Sequence, residues 1–308
     1  MNQKPRKNMA ASVHQRLKNA AVASGERFND LQQNYAIERF LYRFSISPHS
    51  EQFILKGALL LRVWNIATIR PTRDIDLLGL VSNDQAMIRT VVRDICLIAV
   101  EDDGLVFDPT TITIDPISPE AEYEGVRSTF AGKLGNARIA MQIDFGFGDR
   151  ITPPPRRIVY PSVLGMAGAK LKVYPPETSI AEKFHVMLQR GSLNSRMKDF
   201  FDIWTLSRSR VFEGKTLGEA IVATCAQRGT TIDPVPIALT PSALENERSA
   251  TQWSAFRRRL GNTETPETFA DVGAMVASFL KPVIHATATG EVFEQVWTPP
   301  GPWRSMNQ

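Results

Sequence analysis

Asp74-Ile-Asp-Leu-Leu-Gly-Leu80 alternates acidic and aliphatic side chains, the period-two pattern of a β-strand with one wet and one buried face. Residues i and i+2 of a strand share a face. Asp74 and Asp76 therefore project together, roughly 6.5–7 Å apart at their Cα atoms, while Ile75 and Leu77 point into a core. Two carboxylates in that position repel unless something positive neutralises them. A divalent cation does so, and hard oxygen ligands favour Mg²⁺ or Mn²⁺ over zinc. The plainer alternative is a solvated sheet face on which the acids pair with Arg70 or Arg73, both close in sequence.

A third acid, Asp144, ends a strand of the same kind, on which Arg138, Ala140, Gln142 and Asp144 share one face. Two acids on one strand and a third on a neighbour is the carboxylate set that two-metal phosphoryl-transfer sites use. Upstream, Lys56-Gly57-Ala58 stands at a strand-to-helix turn. A glycine there lets the backbone approach a phosphate, and unbonded N–H groups face it. A small-residue turn followed about sixteen residues later by Asp-x-Asp is similar to the arrangement of the nucleotidyltransferase superfamily. In that superfamily the turn holds the triphosphate and the acids hold the metals.

Around this centre the patterning predicts helices over Met9–Gly25 and Phe28–Phe44, a helical turn over Ala58–Trp64, and a helix capped by Ser82 that runs to about Val100. Strands are expected over Thr111–Asp115, Tyr123–Phe130 and Ala137–Phe145, the last two joined by a hairpin at Leu134-Gly135-Asn136. One more short strand is expected within Ile158–Val163, after the break at Pro153-Pro154-Pro155. From Pro175 onward the chain reads as helical. Pro176 starts a helix with the stripe Ile180, Phe184, Met187 and Leu188. Arg196–Ser207 and Leu217–Gln227 follow, then two or three helices over 241–283 and a poorly ordered tail from Thr298. This order predicts an α+β protein with a mixed core over residues 1–170 and a mainly helical part over 171–308.

Composition narrows the class. With 43% hydrophobic and 22% charged residues the chain has enough apolar material to fold, which excludes disorder as its default state. The most apolar stretch, Phe53–Trp64, is broken by Lys56 and Arg62, so no membrane span is expected; the basic N-terminus leads into Ala10-Ala-Ser-Val-His14 with no apolar core after it, so no signal peptide is expected either. Cys96 and Cys225 cannot build a disulfide framework and lack metal-type spacing, which suits a reducing cytoplasm. The small positive charge of +4 concentrates near the N-terminus. There Lys4, Arg6, Lys7, Arg16, Lys18, Arg27, Arg39 and Arg43 face only Glu26, Asp30 and Glu38. Such an arm fits a polyanion such as nucleic acid, or is a solvated face; the same two readings apply to Arg257-Arg258-Arg259.

Four blocks carry a resemblance to a known family: Ala36-Ile-Glu-Arg-Phe-Leu-Tyr-Arg-Phe-Ser-Ile-Ser47, Phe53-Ile-Leu-Lys-Gly-Ala-Leu-Leu-Leu61, Arg70-Pro-Thr-Arg-Asp-Ile-Asp-Leu-Leu-Gly79, and Ser179-Ile-Ala-Glu-Lys-Phe184 followed by Arg196-Met-Lys-Asp-Phe-Phe-Asp-Ile-Trp204. In this order, over about residues 30–210, the sequence resembles the AbiEii/AbiGii nucleotidyltransferase-like toxins of type IV toxin–antitoxin and abortive-infection systems. The resemblance implies a nucleotidyltransferase-like mixed sheet with flanking helices and a Mg²⁺- or Mn²⁺-dependent enzyme. Such an enzyme moves a nucleotide from a nucleoside triphosphate to an acceptor, with the 3′ end of tRNA as the RNA acceptor, and has a cognate antitoxin encoded nearby. It makes Lys56, Gly57, Ala58, Arg73 and Lys183 nucleotide-binding residues, and Asp74, Asp76 and Asp144 metal ligands. Asp74, Asp76, Lys183 and Asp199 or Asp202 become the catalytic set. The superfamily turn is usually Gly-Gly or Gly-Ser; Gly57-Ala58 keeps it small and offers no hydroxyl.

Read by themselves, Lys183 lies beside the apolar stripe of its helix and could bury its stem while extending its ammonium, or pair at the surface with Glu182. Asp199 and Asp202, at i and i+3, share one side of a helix, where they could instead pair with Arg196, Lys198 or Arg208. Two other functions fit the same residues. One is a small-molecule nucleotidyltransferase, which needs no RNA surface; the other is a non-catalytic nucleotide-binding protein that sequesters a partner.

Overall fold

The computed structural model describes residues 8–64, 66, 70–117, 125–261 and 264–305. They fall into two compact units. One takes in residues up to 63, 71–148 and 157–173, and the other 64–70, 149–156 and everything from 174 onward.

The first unit is built on the acidic strand. Its helices and strands are, in chain order, α1 (Met9–Ser24), α2 (Phe28–Ser45), β1 (Phe53–Lys56), α3 (Leu60–Val63), β2 (Asp74–Gly79), α4 (Gln85–Leu97), β3 (Leu105–Ile117), β4 (Gly125–Leu134), β5 (Ala137–Phe147), β6 (Arg156–Val159) and β7 (Lys170–Val173). The strands form one mixed sheet in the order β3-β4-β5-β2-β1-β7-β6. β2 lies near its middle, antiparallel to β1 and parallel to β5. Ile75 and Leu77 are fully buried and Asp74 and Asp76 half-buried, the alternation the sequence predicts. The β4–β5 hairpin closes over Gly135-Asn136, with Gly135 at φ +59°, the left-handed geometry a two-residue hairpin loop requires.

α2 buries Leu31, Tyr35, Ile37, Phe40, Leu41 and Phe44, and Phe40 packs against Phe107 and Phe130 of the sheet. Here the reading of a basic N-terminal arm needs correction. Arg39 and Arg43 are internal, each 4% exposed, and clamp the buried carboxylate of Asp103: Arg39 Nε donates at 2.9 Å, Arg43 Nη1 at 2.7 Å and Nη2 at 3.0 Å. Their charge serves the core and is withheld from any polyanion. Lys4, Arg6 and Lys7 lie outside the described residues, as does the expected strand start at Tyr123.

Other boundaries shift for local reasons. Asp84, not Ser82, caps α4, accepting from the N–H groups of Ala86 and Met87 at 2.7 and 3.1 Å. A carboxylate adds charge complementarity to the helix N-terminus that a hydroxyl lacks. The strand expected within 158–163 is β6 at Arg156–Val159, and it pairs with the unforeseen β7.

The second unit comprises α5 (Pro176–Arg190), α6 (Met197–Ser209), β8 (Phe212–Glu213), α7 (Gly214–Gln227), α8 (Pro241–Leu244), α9 (Glu247–Leu260), α10 (Phe269–Thr289), β9 (Gln295–Trp297) and β10 (Trp303–Ser305). The expectation that Phe53–Trp64 is the chain's most span-like stretch is overturned by α10. That helix is long and apolar enough, by length and composition, to cross a bilayer. Its apolar side is instead the unit's core, with Val272, Val276, Phe279, Leu280, Val283 and Ile284 buried. The described part of the tail, residues 298–305, is ordered where disorder was expected: its β10 joins β8 and β9 in a small sheet, and Trp303 stacks on Phe279 at 5.5 Å between ring centroids. Cys96 and Cys225 are buried, unbridged thiols, which burial pushes up to about 12 and about 11.

Candidate active site

In the first unit, strand register builds a charged row across the sheet. Lys56 of β1 stands opposite Asp76 of β2, Asp76 opposite Asp144 of β5, and Asp144 opposite Arg127 of β4. In-register neighbours point to the same side of a sheet, so the four side chains share one face. Two residues along β2, Asp74 opposite Gln142 begins the next row on that face. Lys56, Asp74, Asp76 and Asp144 are thus brought together by pairing of segments up to 88 residues apart (from 56 to 144).

β1 ends at Lys56, and Gly57 turns the chain into α3 at φ +76°, a conformation side chains other than glycine's rarely adopt. A Cβ there would run into the Asp76 carboxylate. The glycine therefore makes the turn and leaves the space the acid fills. Ala58 is buried beneath the turn, and Leu60 and Leu61 return hydrogen bonds to the carbonyls of Gly57 and Ala58. Arg73, the residue before β2, is exposed.

Asp74 and Asp76 suit a hard divalent cation: they are oxygen donors at i and i+2 on one face, with a glycine's missing side chain beside Asp76. Asp144 is at the register position of a third ligand, but Arg127 holds it with both arms of its guanidinium, Nε to Oδ1 at 2.8 Å and Nη2 to Oδ2 at 2.7 Å. Gln142 Nε2 donates to the same Oδ1 at 3.2 Å. Among the described residues no three His, Cys, Asp or Glu side chains gather as a metal-holding group. Asp144's hydrogen bonds with Arg127 raise the arginine's pKa, and the charges of Asp144, Asp74 and Asp76 add to it. Arg127 was not singled out in the sequence; the hairpin at Gly135-Asn136, which counts it into register with Asp144, is the signal that could have found it.

The second unit gathers the other predicted residues. Lys183 of α5 reaches Asp202 Oδ2 at 2.7 Å and Asp199 Oδ1 at 3.1 Å, both on α6. The two acids are 1% exposed. Arg70 gives its fork to Asp202, Nε to Oδ1 at 2.8 Å and Nη2 to Oδ2 at 3.0 Å, and Arg196 lies 2.7 Å from Asp199 Oδ2. Burial alone would raise the Asp202 carboxyl, but Arg70 and then Lys183 overwhelm it and hold it at about 2. Burial likewise works against the Lys183 ammonium, yet Asp202 and Asp199 prevail and its pKa stays raised.

Lys183 is therefore a charged lysine turned into the unit, its side chain 16% exposed, and not the surface partner of Glu182, which lies near Arg228. Arg70, weighed from sequence as a partner of the acidic strand, holds an acid 132 residues away. The cluster sets Arg70, Lys183 and Arg196 against Asp199 and Asp202. His185 belongs to neither group. It is fully buried, bonded to the Thr230 hydroxyl at 2.8 Å, and lowered to about 4 by burial and by Arg228.

A mixed sheet presenting Asp-x-Asp beside a glycine turn is the architecture of nucleotidyltransferases, and the comparisons with known proteins agree. Residues 39–275 match the profile described as nucleotidyl transferase AbiEii toxin, type IV TA system, and the chain belongs to that family of toxins. Among solved structures it is similar to MenT4, a nucleotidyltransferase toxin from Mycobacterium tuberculosis H37Rv. The identity is 14%, over 90% of this chain and 99% of that one, with a TM-score of 0.51. At that identity the likeness is one of fold. JHP933 from Helicobacter pylori is similar at 10% identity over 85% of this chain and 94% of its own, with a TM-score of 0.45. No curated protein sequence matches the chain.

Proposed function

We propose that the chain transfers a nucleotidyl group from a nucleoside triphosphate to the 3′-hydroxyl of an RNA, a tRNA, in the cytoplasm. It would do so as the toxin partner of a cognate antitoxin. The observation that carries the reading is the row Lys56–Asp76–Asp144–Arg127, with Gly57 against Asp76. In the reaction the acceptor hydroxyl gives up its proton, to solvent in the balance, as its oxygen bonds to the α-phosphorus; the bond from that phosphorus to the α–β bridging oxygen breaks, and pyrophosphate leaves with its electron pair.

The Gly57-Ala58 turn offers backbone N–H groups to the triphosphate at the start of a helical segment. Asp74 and Asp76 would hold a Mg²⁺ or Mn²⁺ ion. Such an ion, when bound, supplies charge neutralisation at the phosphates and polarisation of their oxygens. The Lys183 ammonium suits phosphate oxygens, and Asp199 and Asp202 hold it protonated and in place. Positioning and charge neutralisation carry the catalysis, since phosphoryl chemistry asks little covalent work of the protein.

A small-molecule acceptor is the second reading. Burial of Arg39 and Arg43 favours it, because it removes two cations from the expected RNA-binding segment. Of the other basic run, Arg258 and Arg259 remain exposed in the last turn of α9, where they also complement the helix dipole.

Purified protein incubated with Mg²⁺, total bacterial RNA and each α-phosphate-labelled nucleoside triphosphate tests the proposal, with Asp74→Ala/Asp76→Ala alongside. Label in a tRNA-sized band with the wild type alone supports it. No label with any nucleotide, from protein that still arrests growth, counts against RNA as acceptor. Acceptor binding with little salt dependence favours the small-molecule reading.

A further inference from the structure

Arg70 and Lys183 meet on one carboxylate. Asp202 Oδ2 accepts from Arg70 Nη2 at 3.0 Å and lies 2.7 Å from the Lys183 ammonium, while Oδ1 accepts from Arg70 Nε at 2.8 Å. A guanidinium that donates to both oxygens shares the carboxylate plane and fixes it, which a point-charge donor cannot do. The Asp202 side chain is 1% exposed and that of Arg70 14%, so water has little access to the fork. Burial raises the Asp202 carboxyl, and of the groups that oppose it Arg70 comes first and Lys183 second. The acid's charge is thus divided between two cations.

Asp199, on the other side of the ammonium, is held less firmly. Lys183 reaches its Oδ1 at 3.1 Å, and Arg196 Nε approaches Oδ2 at 2.7 Å without the alignment of a hydrogen bond. Two of the three ammonium N–H groups are committed to Asp199 and Asp202, which leaves one to meet a phosphate oxygen. Its direction follows from where the two acids stand, and the acid with a fixed plane is Asp202.

We propose that Arg70 is a positioning residue of the transfer reaction: by gripping Asp202 with its fork it aims the Lys183 ammonium at the phosphate oxygens. The inference rests on the nucleotidyl-transfer reading above, in which Lys183 meets those oxygens, and adds the group that aims it. Placement matters at this scale, since an error of about 1 Å in a positioned group can cost about a hundredfold in rate.

The labelled-nucleotide assay on the full-length protein tests this, with kcat and KM for the nucleoside triphosphate measured in the wild type, Arg70→Lys, Lys183→Met and Arg70→Lys/Lys183→Met, beside a thermal melt of each. Arg70→Lys keeps the charge and loses the fork. It should fold, lower kcat about tenfold or more and leave KM within about threefold, the mark of an interaction made in the transition state. In the Lys183→Met background the same substitution should cost less than about twofold, because the residue it acts through is gone. A purely structural arginine would instead cost the same factor in both backgrounds. That result, a loss confined to KM, or a kcat within about threefold of wild type overturns the inference and leaves the transfer reading standing. A wild type that labels no acceptor overturns both. Where Lys183→Met has no measurable rate, the kcat–KM split of Arg70→Lys at an unchanged melting temperature decides. Should Arg70→Lys fail to fold, Arg70→Gln, which keeps one planar amide donor, is measured in the same two backgrounds.

Discussion

The carboxylate of Asp76 fills the space that a side chain on Gly57 would need. The turn and the acid are thus one feature, made by antiparallel pairing of β1 with β2 and by a backbone at φ +76°. Gly57→Ala meets two costs. An L side chain in the left-handed region costs about 1–2 kcal/mol, and the new methyl forces the Asp76 side chain aside. Expected is a folded protein with a modestly lower melting temperature and a transfer rate reduced at least tenfold. A circular dichroism melt run beside the labelled-nucleotide assay separates the two effects. Activity that falls only in proportion to the folded fraction would show that the close approach has no catalytic consequence.

Lys183 and Asp202 form the centre of the second unit's cluster, and their energies should be strongly coupled. Removing one partner of a buried ion pair costs about 3–5 kcal/mol, because the other charge is stranded. Lys183→Met should fall at the low end of that range, since Arg70 still holds Asp202 and Arg196 still faces Asp199. Lys183→Met/Asp202→Asn should lose about 1–3 kcal/mol less than the sum of the single variants, as expected of contacting residues. Urea unfolding of the four proteins gives the coupling. Additive losses would mean that the pair does not act as a unit.

Much of this arrangement is legible in short-range pattern. Ile75 and Leu77 against Asp74 and Asp76 announce β2, and Gly135-Asn136 between two alternating runs announces the hairpin, because both signals depend only on neighbours in the chain. What could not be read depends on distant pairing. Asp144 shares a face with Gln142 and Arg138, and its expected place on a strand beside Asp74 and Asp76 is the one the β2–β5 pairing gives it, but that Arg127 stands opposite it follows only from counting through a turn. The four residues of β7 are too few to show a period. Arg39 and Arg43 resemble any helical cations until Asp103, some sixty residues on, is folded beneath them. Charge in a sequence does not reveal its depth.

Two buried acids give stability opposite dependences on pH. Burial raises Glu38 from 4.5 to about 7, against the hydrogen bonds it accepts from the Val163 N–H at 2.6 Å and the Ser162 hydroxyl at 3.0 Å. A raised carboxyl binds its proton more tightly in the folded state. Its contribution is therefore whole below about 4.5 and is lost as pH climbs through about 7. At about 1.4 kcal/mol per pH unit, the upper bound is about 3.5 kcal/mol. Asp202, held at about 2, contributes above its unfolded value of 3.8 and loses that contribution as the pH falls toward 2. Unfolding free energies measured from pH 3 to pH 8 should lose the Glu38 contribution between about pH 4.5 and about 7 in the wild type, a decline that levels off above neutrality. Glu38→Gln should flatten that decline and leave the acid limb unchanged. A wild-type curve still rising between pH 6 and pH 8 would contradict the assignment to Glu38.

The C-terminal segment is a structural element of the second unit, and truncation should reveal it. Trp303 stacks on Phe279 with planes 6° apart, donates its indole N–H to the Phe279 carbonyl at 2.9 Å, and meets Trp297 edge-on at 5.4 Å. Trp297 is itself buried and donates to the Ser207 carbonyl at 2.6 Å, which ties the hairpin to α6 as well as to α10. Burying aromatic rings of this size while satisfying both indole N–H groups stabilises a core strongly. Full loss of such a ring costs about 3–5 kcal/mol. Trp303 is only partly covered, so Trp303→Ala should lose about 2 kcal/mol, toward the foot of the range for core truncations. Deleting residues 298–308 should cost more, because Trp297 then loses its cover. Chemical denaturation followed by tryptophan fluorescence checks both variants. A deletion that unfolds at the wild-type midpoint would show that the hairpin contributes nothing to the stability of α10.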